Sequence, residues 1–403
     1  MKWAVLIGDG MADRPLEALG GRTVLQVART TWMDTVVRMG LIGLVHTIPH
    51  GCPPGSDIAT MVIMGYDPKR DYSGRGPLEA AAMGVDLAPE DVAFRCNLVH
   101  LDCSGEEPVM KDFTAGHIPT ERAREIVQAL DEAVDDPGIR FYPGVSYRHL
   151  MVWSHGKEAM ETTPPHDITG RPIGPYLPKG EGAERVRSWM EFSRSFFKRR
   201  EIQRLIPPDN PCPPNSIWLW GQGKRPSMRP ITEIYGLRGG IITAVDLLRG
   251  IGITGGLEVI HVPGATGYYD TDYAGKGRHA IEALREGLDF VIVHVEAPDE
   301  AGHEGNIEEK IRAIESFDRE VVGRVLKGLQ EMGQWGVLVL PDHATPISVR
   351  THTEEPVPFA VAYDHNRFVG AGERFDEGEA ASGGIMLEDG TTLLERFIKA
   401  QWG

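Results

Sequence analysis

The stretch D-F-V-I-V-H-V-E-A-P-D-E-A-G-H-E-G, Asp289 to Gly305, decides the fold. It opens as an apolar run that reads as a buried strand. It ends by releasing acids and a histidine into a turn bracketed by Pro and Gly. Strand ends are where binding and catalytic groups collect. Asp299 and His303 stand in D-x-x-x-H spacing. On a helical turn that spacing sets a hard oxygen and an imidazole on one face, which is half of a metal site. Taken alone, the pair also suits an exposed helix start.

Working outward, the same strand–helix rhythm covers the last part of the chain. Ile241–Thr243, Leu257–Val262, Val337–Leu340 and Phe359–Tyr363 read as further apolar strands. Ala244–Arg249, Gly275–Arg285 and Asn306–Leu329 read as the helices between them. Asn306 can cap the last, with Glu309 at the box position. The first ninety residues share the rhythm: strand Trp3–Ile7, helix Thr23–Met39, strand Leu41–Thr47, and a helix opening at Ser56. Between the two stretches the texture changes. F-R-C-N-L-V-H-L and P-V-M-K-D-F pair as strands, and Thr120–Val134 is a helix. Arg140–Trp153 holds two strand-like pieces. A Pro- and Gly-dense loop, Thr163–Gly182, leads into a basic, aromatic helix, Ala183–Leu205, and then the strand S-I-W-L-W-G-Q-G. The expectation is an α/β sheet with helices on both faces over residues 1–92 and 226–403. A smaller α+β domain, 93–225, interrupts it. A chain of 403 residues exceeds what one core usually serves.

Composition narrows the partners. At 41% hydrophobic and 25% charged, the chain has the make-up of a soluble enzyme. A net charge of −16 argues against nucleic acid and against anionic membranes. No run reaches the length of a membrane span, and the opening M-K-W-A-V-L-I-G-D-G is too short in its apolar part for a signal peptide. The four cysteines (Cys52, Cys96, Cys103, Cys212) are scattered, which fits a reducing cytoplasm. A homo-oligomer stays open.

The strand ends carry a constellation. The first strand delivers Asp9 in G-D-G, and the breaker-rich loop after the second delivers Ser56. The opening stretch delivers Asp299 and His303. V-L-V-L-P delivers Asp342 and His343 in P-D-H, and His352 follows in R-T-H-T-E-E-P-V-P-F. Each has a structural reading alone: a turn at Asp9, a helix cap at Ser56, a solvated loop at His352. Several independent strand ends all displaying ligand types argue against coincidence. Three Asp, three His and one Ser suffice for two divalent cations with mixed N and O ligands. A serine at a helix start beside such ions suits phosphate binding and nucleophilic attack. The chemistry indicated is phosphoryl transfer through a phosphoserine.

In this order, G-D-G-M, P-P-G-S-D, D-x-x-x-H, P-D-H and T-H-T-x-x-P-V-P-F resemble the archaeal-type cofactor-independent phosphoglycerate mutases of the alkaline phosphatase superfamily. G-Y-D-P, G-R-G-P-L-E-A, F-R-C-N-L, A-G-H-I, Y-R-H-L and V-P-G-A-T-G are similar too, so the likeness spans nearly the whole chain. The resemblance implies an alkaline-phosphatase-like sheet. It implies one ion on Asp299, His303 and His352, another on Asp9, Ser56, Asp342 and His343, and Ser56 as nucleophile. It implies Mn2+, with Zn2+, Mg2+ or Co2+ as substitutes, and a small phosphorylated acid as substrate: 3-phosphoglycerate exchanged with 2-phosphoglycerate without bisphosphoglycerate. Arg95, Asn97, Arg148, His149, Lys224 and Lys276 are the candidates for binding that substrate, with His149 able to move a hydroxyl proton. Closure of the insert would keep water from the phosphoserine. The chain also resembles a bacterial branch proposed as homoserine kinases, which would use the same serine and ligands. A phosphomonoesterase and a non-enzymatic metal-binding relative are the remaining readings.

Other signals carry no function. G-I-G-I-T-G, Gly250 to Gly255, has a helix before it and a strand after it, the reverse of a dinucleotide fingerprint, and reads as helix-stop glycines. A-G-K-G lacks the Ser/Thr of a P-loop. Trp218 and Trp220 alternate as strand packing, and F-F-K-R-R reads as a solvated helix face.

Overall fold

The opening stretch folds as the strand Phe290–Val295 followed by the helix Ala297–Glu304, so Asp299 and His303 do share one helical turn. The computed structural model describes residues 1–364 and 372–402. The chain divides into two compact units, Met1–Tyr72 with Met228–Gly403, and Ser73–Ser227.

An eight-stranded sheet runs through the first unit. Its order is Glu258–Val259, Gly239–Ile242, Phe290–Val295, Lys2–Gly8, Trp335–Leu340, Val357–Tyr363, Leu41–Val45 and Met386–Leu387. Lys2–Gly8 lies parallel to both Phe290–Val295 and Trp335–Leu340. These three strands are buried almost throughout. That is why they read as unbroken apolar runs rather than alternating ones. Their carboxyl ends lie side by side and open into the loops that bear Asp9, Asp299 and Asp342. Val357–Tyr363 is antiparallel to both of its neighbours. Leu41–Val45 therefore points the same way as the central strands, which brings the Ser56 loop to the same edge. The reversed strand begins at that edge, so His352, just before it, arrives there as well. The sheet is mixed rather than wholly parallel, and the reversal is what delivers His352.

Helices cover one face of the sheet through a core that includes Leu6, Val36, Val293, Ile314, Phe317, Val325 and Val339. The Asn306 helix begins as read, with Asn306 Oδ1 accepting the Glu309 N–H at 3.1 Å. It is not uniform. A π-helical segment, Phe317–Val322, interrupts it, and Asp318 there accepts the N–H groups of Trp32 and Met33. The expected helix Thr23–Met39 is two helices, Val24–Val27 and Thr31–Met39, parted at an extended Ala28. The expected Ala244–Arg249 helix runs Asp246–Thr254 instead. Gly250 and Gly252 thus lie inside it rather than stopping it. Gly252 permits close packing on the sheet, since a Cβ there would come within 2.6 Å of Ile241.

The second unit is an antiparallel sheet in the order Val109–Asp112, Val92–Asp102, Arg148–Trp153, Ile139–Val145, with Ser216–Gly223 also paired to Val92–Asp102. Helices Thr120–Ala133 and Ala183–Phe196 pack on it through Phe94, Leu130, Trp189, Phe196 and Trp218. The expected helix Ala183–Leu205 stops at Phe196 and resumes for Arg200–Gln203, because Arg199 is extended. The unit starts at Ser73, upstream of the residue 93 read from sequence. Helix Arg75–Ala82 belongs to it through Ala80, which packs with Ala93, Leu150 and Val152. No helix among the described residues is long and apolar enough to cross a membrane.

Candidate functional site

Strand geometry places the seven residues of the constellation in one cluster. Asp9 follows the last residue of its strand, and its N–H donates to Val295 O at 3.0 Å. Gly10 turns the chain at φ +61° and donates its N–H to Asp342 Oδ1 at 3.1 Å. No larger residue fits there: a Cβ would lie 2.6 Å from both Asp299 Oδ1 and Thr345 Oγ1. Ser56 is the first residue of the helix Ser56–Ile63, and Gly55 occupies the cap position without a side-chain bond. The serine oxygen is therefore not spent on capping. It lies 3.1 Å from His343 Nε2 and 3.4 and 3.5 Å from the Asp9 oxygens.

The three imidazoles are oriented from behind. His303 Nδ1 donates to Arg350 O at 3.0 Å and His352 Nδ1 to Pro54 O at 3.3 Å. Thr345 Oγ1 spends its proton on Asp299 Oδ1 and so accepts from His343 Nδ1 at 3.2 Å. Each ring thus carries its proton on Nδ1 and turns the Nε2 lone pair inward. Those nitrogens converge: His303 Nε2 is 3.0 Å from His352 Nε2 and 3.1 Å from Asp299 Oδ2. His343 Nε2 is 3.4 Å from Asp9 Oδ1 and 3.6 Å from Asp342 Oδ2. Lone pairs and carboxylate oxygens facing one another in a dry site repel unless a cation sits among them. Among the described residues, two groups have ligand atoms close enough to share an ion: Asp299, His343 and His352, and Asp9, Asp342 and His343. His343 belongs to both, and His303 borders the first.

Electrostatics show the same shortage of positive charge. Burial, with Asp342 and Asp299 beside it, pushes the Asp9 carboxyl well above the usual range. Burial also works against Asp299, but His303 and His352, which hydrogen-bond it once they take a second proton on Nε2, outweigh it and hold it low. Asp299 in turn pushes His303 up to about 9. Asp342 Oδ2 is buried and has no hydrogen-bond partner. Without a metal the cluster takes up protons; the donor set fits divalent cations.

Five of the six substrate candidates lie in the second unit, and they do not all share one face. Asn97 is paired with Arg148 across adjacent strands, and Arg95 is two residues from Asn97, so these three share a face of the second unit's sheet. Arg95 is buried, pairs with Glu79 and packs over Trp220, whose Nε1 donates to Asn97 Oδ1 at 3.1 Å. His149 is paired with Cys96 and points to the other face. Its Nδ1 accepts the Gly144 N–H at 2.9 Å. Burial and Arg95 push it down to about 3, which leaves it too weak a base to carry a hydroxyl proton near neutral pH. Lys224 pairs with Glu90 at 2.8 Å. Lys276 is fully buried in the first unit, its ammonium held by Glu296 at 2.6 Å and by His294 O at 2.9 Å. It braces the site and has no exposed face for a substrate.

Three residues beside the cluster were passed over in the sequence: His294, Glu296 and Thr345. His294 lies inside an apolar strand, where its neighbours hide it. Its signal is the period of two: His294 and Glu296 fall on one face just where the strand ends.

A family model described as 2,3-bisphosphoglycerate-independent phosphoglycerate mutase matches residues 38–203. The mutase of Methanothrix thermoacetophila is 51% identical over 99% of this chain and 100% of its own length. A probable mutase of Geobacter sulfurreducens is 50% identical over the same shares. Among solved structures, a Pyrococcus horikoshii protein aligns with TM-score 0.82 at 27% identity, covering 99% of this chain and 96% of its own. The cofactor-independent phosphoglycerate mutase of Thermoplasma acidophilum aligns with TM-score 0.68 at 26% identity, covering 99% and 100%.

Proposed function

This chain belongs to the 2,3-bisphosphoglycerate-independent phosphoglycerate mutases, a metal-dependent family that interconverts 3-phosphoglycerate and 2-phosphoglycerate, and we propose that Ser56 is the residue through which it does so. The observation that carries this reading is the placement of Ser56 Oγ. It stands at a helix start, free of capping duty, 3.1 Å from the inward-turned Nε2 of His343. The serine oxygen attacks phosphorus, the bond to the 3-oxygen breaks, and phosphoserine and glycerate result. Glycerate then presents its 2-oxygen, which attacks the phosphoserine and restores the serine hydroxyl. In balance, the serine proton ends on the departing 3-oxygen, and the 2-hydroxyl proton returns to the serine in the second step. The free N–H groups of the helix start favour the phosphate. Two divalent ions, for which Mn2+ is our choice, would supply Lewis-acid polarisation and a lowered serine pKa. Asp299, His303 and His352 would hold one, and Asp9, Ser56, Asp342 and His343 the other. For the substrate's anionic groups we retain Arg148, Arg95 and Asn97, which share one sheet face. Four free cysteines support a reducing, cytoplasmic setting.

The test is a coupled assay on manganese-loaded protein with two substrate sets in parallel. One holds 3-phosphoglycerate without bisphosphoglycerate, the other homoserine with ATP, and Ser56→Ala accompanies each. Formation of 2-phosphoglycerate, abolished in Ser56→Ala, is the expected outcome. An unimpaired Ser56→Ala would sink the phosphoserine route. Phosphohomoserine as the product would move the assignment to the kinase branch.

A further inference from the structure

His294 is 1% exposed in a strand where every other residue is apolar. An imidazole there is costly unless polar groups meet it. Among the described residues neither ring nitrogen makes a hydrogen bond, but three carboxylates lie within ion-pair distance. Its Nε2 lies 3.5 Å from Asp9 Oδ2 and 3.5 Å from Asp342 Oδ2, and its Nδ1 lies 3.4 Å from Glu296 Oε1. Glu296 cannot drift. Its Oε1 accepts the Thr243 hydroxyl at 3.0 Å and the Ala244 N–H at 2.7 Å, and its Oε2 accepts Lys276 Nζ at 2.6 Å. The ring therefore stands between one fixed carboxylate and the two that border Ser56 and His343.

We propose that His294 is a positioning residue for the serine side of the metal centre, holding the Asp9 and Asp342 carboxylates at the spacing one ion needs. This rests on the ligand assignment proposed above. Groups that orient ligands from the outer shell commonly change metal affinity by about 10- to 100-fold when removed. The geometry adds a direction. Asp299 takes its orientation from Thr345 and its neighbours His303 and His352 from backbone carbonyls, not from His294. The effect of His294 should therefore fall on one ion and spare the other, an asymmetry that general loosening of the fold would not produce.

The experiment is Mn2+ binding to metal-stripped protein, followed by the EPR signal of the free ion. Wild type should bind two ions. His294→Ala should keep one at native affinity and bind the second about 10- to 100-fold more weakly. His294→Gln, whose amide N–H can reach the same oxygens, should recover part of the loss. Two ions bound to His294→Ala as to wild type would overturn the proposal, as would equal weakening of both. If the alanine variant does not fold, His294→Gln and His294→Asn carry the same asymmetry test. Asp342→Asn separates the two levels of argument. If it too binds both ions normally, the ligand assignment has failed. If it loses one ion while the His294 variants lose none, only the present inference has failed.

Discussion

Asp9 and Asp13 leave the same loop four residues apart, and both are buried. Their surroundings are opposite. Asp13 accepts the N–H groups of Arg14 and Ile347 and pairs with Lys310 Nζ at 2.9 Å. Lys310, fully buried, gives its other protons to Ala12 O and Thr345 O. Every charge in that cluster has its counterpart, and it ties the Asp9 loop to the loop after Asp342. Among the described residues no backbone N–H donates to the Asp9 carboxylate, which faces Ser56, His343, His294 and Asp342. A buried ionic cluster that closes on itself is scaffold, and one that stays open by a cation is a site.

Removing the charge from each aspartate breaks this comparison most directly. Asp9→Asn should lower mutase activity by more than about 100-fold, since the ligand role proposed for Asp9 matters more than the outer-shell groups that tune it. In chelator the same variant should melt at a higher temperature than wild type, because it relieves like-charge repulsion in a dry site. A fall in that chelated melting temperature would show that the cluster is not short of positive charge. Asp13→Asn should do the reverse. It leaves a buried ammonium unpaired, at a cost of about 3–5 kcal/mol in urea unfolding. A cost below about 1 kcal/mol would mean that Lys310 finds water or another acceptor.

Metal addition sharpens the same contrast with a smaller effect. An ion that binds only the folded protein stabilises it by about 2.7 kcal/mol at a hundredfold excess over its dissociation constant. Wild type and Asp13→Asn should both gain that increment once for each of two ions on addition of Mn2+, measured from unfolding with and without chelator. Asp9→Asn should gain it for one ion only. Equal gains in all three proteins would place the ion elsewhere.

The difference between the clusters also explains what could be read in advance. Asp299, Asp342 and His343 were legible because unbroken apolar strands announce themselves, and the residues after them stand out as polar. His352 was legible as a residue type, but its delivery was not. It depends on the reversed Val357–Tyr363 strand, and strand direction leaves no trace in local periodicity. Lys276 was misjudged for a related reason. A lysine in a Gly-rich helix start looks like a phosphate ligand until the strand behind it is known to carry Glu296. The Asp13–Lys310 pair is nearly 300 residues apart in sequence and has no local signature. The helix breaks at Ala28 and Arg199 are set by packing that propensity does not see.

His149 extends the contrast to the second unit, as a buried polar group that is half satisfied. Its Nδ1 accepts the Gly144 N–H, and its Nε2 has no partner. Charging the ring would put a proton on Nδ1 against that N–H, in a dry site next to Arg95. Burial and Arg95 accordingly push its pKa down to about 3, against about 6.5 in the unfolded chain. Between those values the unfolded chain binds a proton that the native protein does not, so stability rises with pH. The contribution is complete above about pH 6.5 and fades as the pH falls toward 3. With a limiting slope of about 1.4 kcal/mol per pH unit, the loss from pH 6.5 to 5 is about 2 kcal/mol. Urea unfolding followed by the tryptophan fluorescence of this unit should show the slope in wild type. His149→Gln, which keeps an acceptor for Gly144 but cannot titrate, should be flatter by that amount. Parallel curves for the two proteins would mean that the ring finds water on its open side.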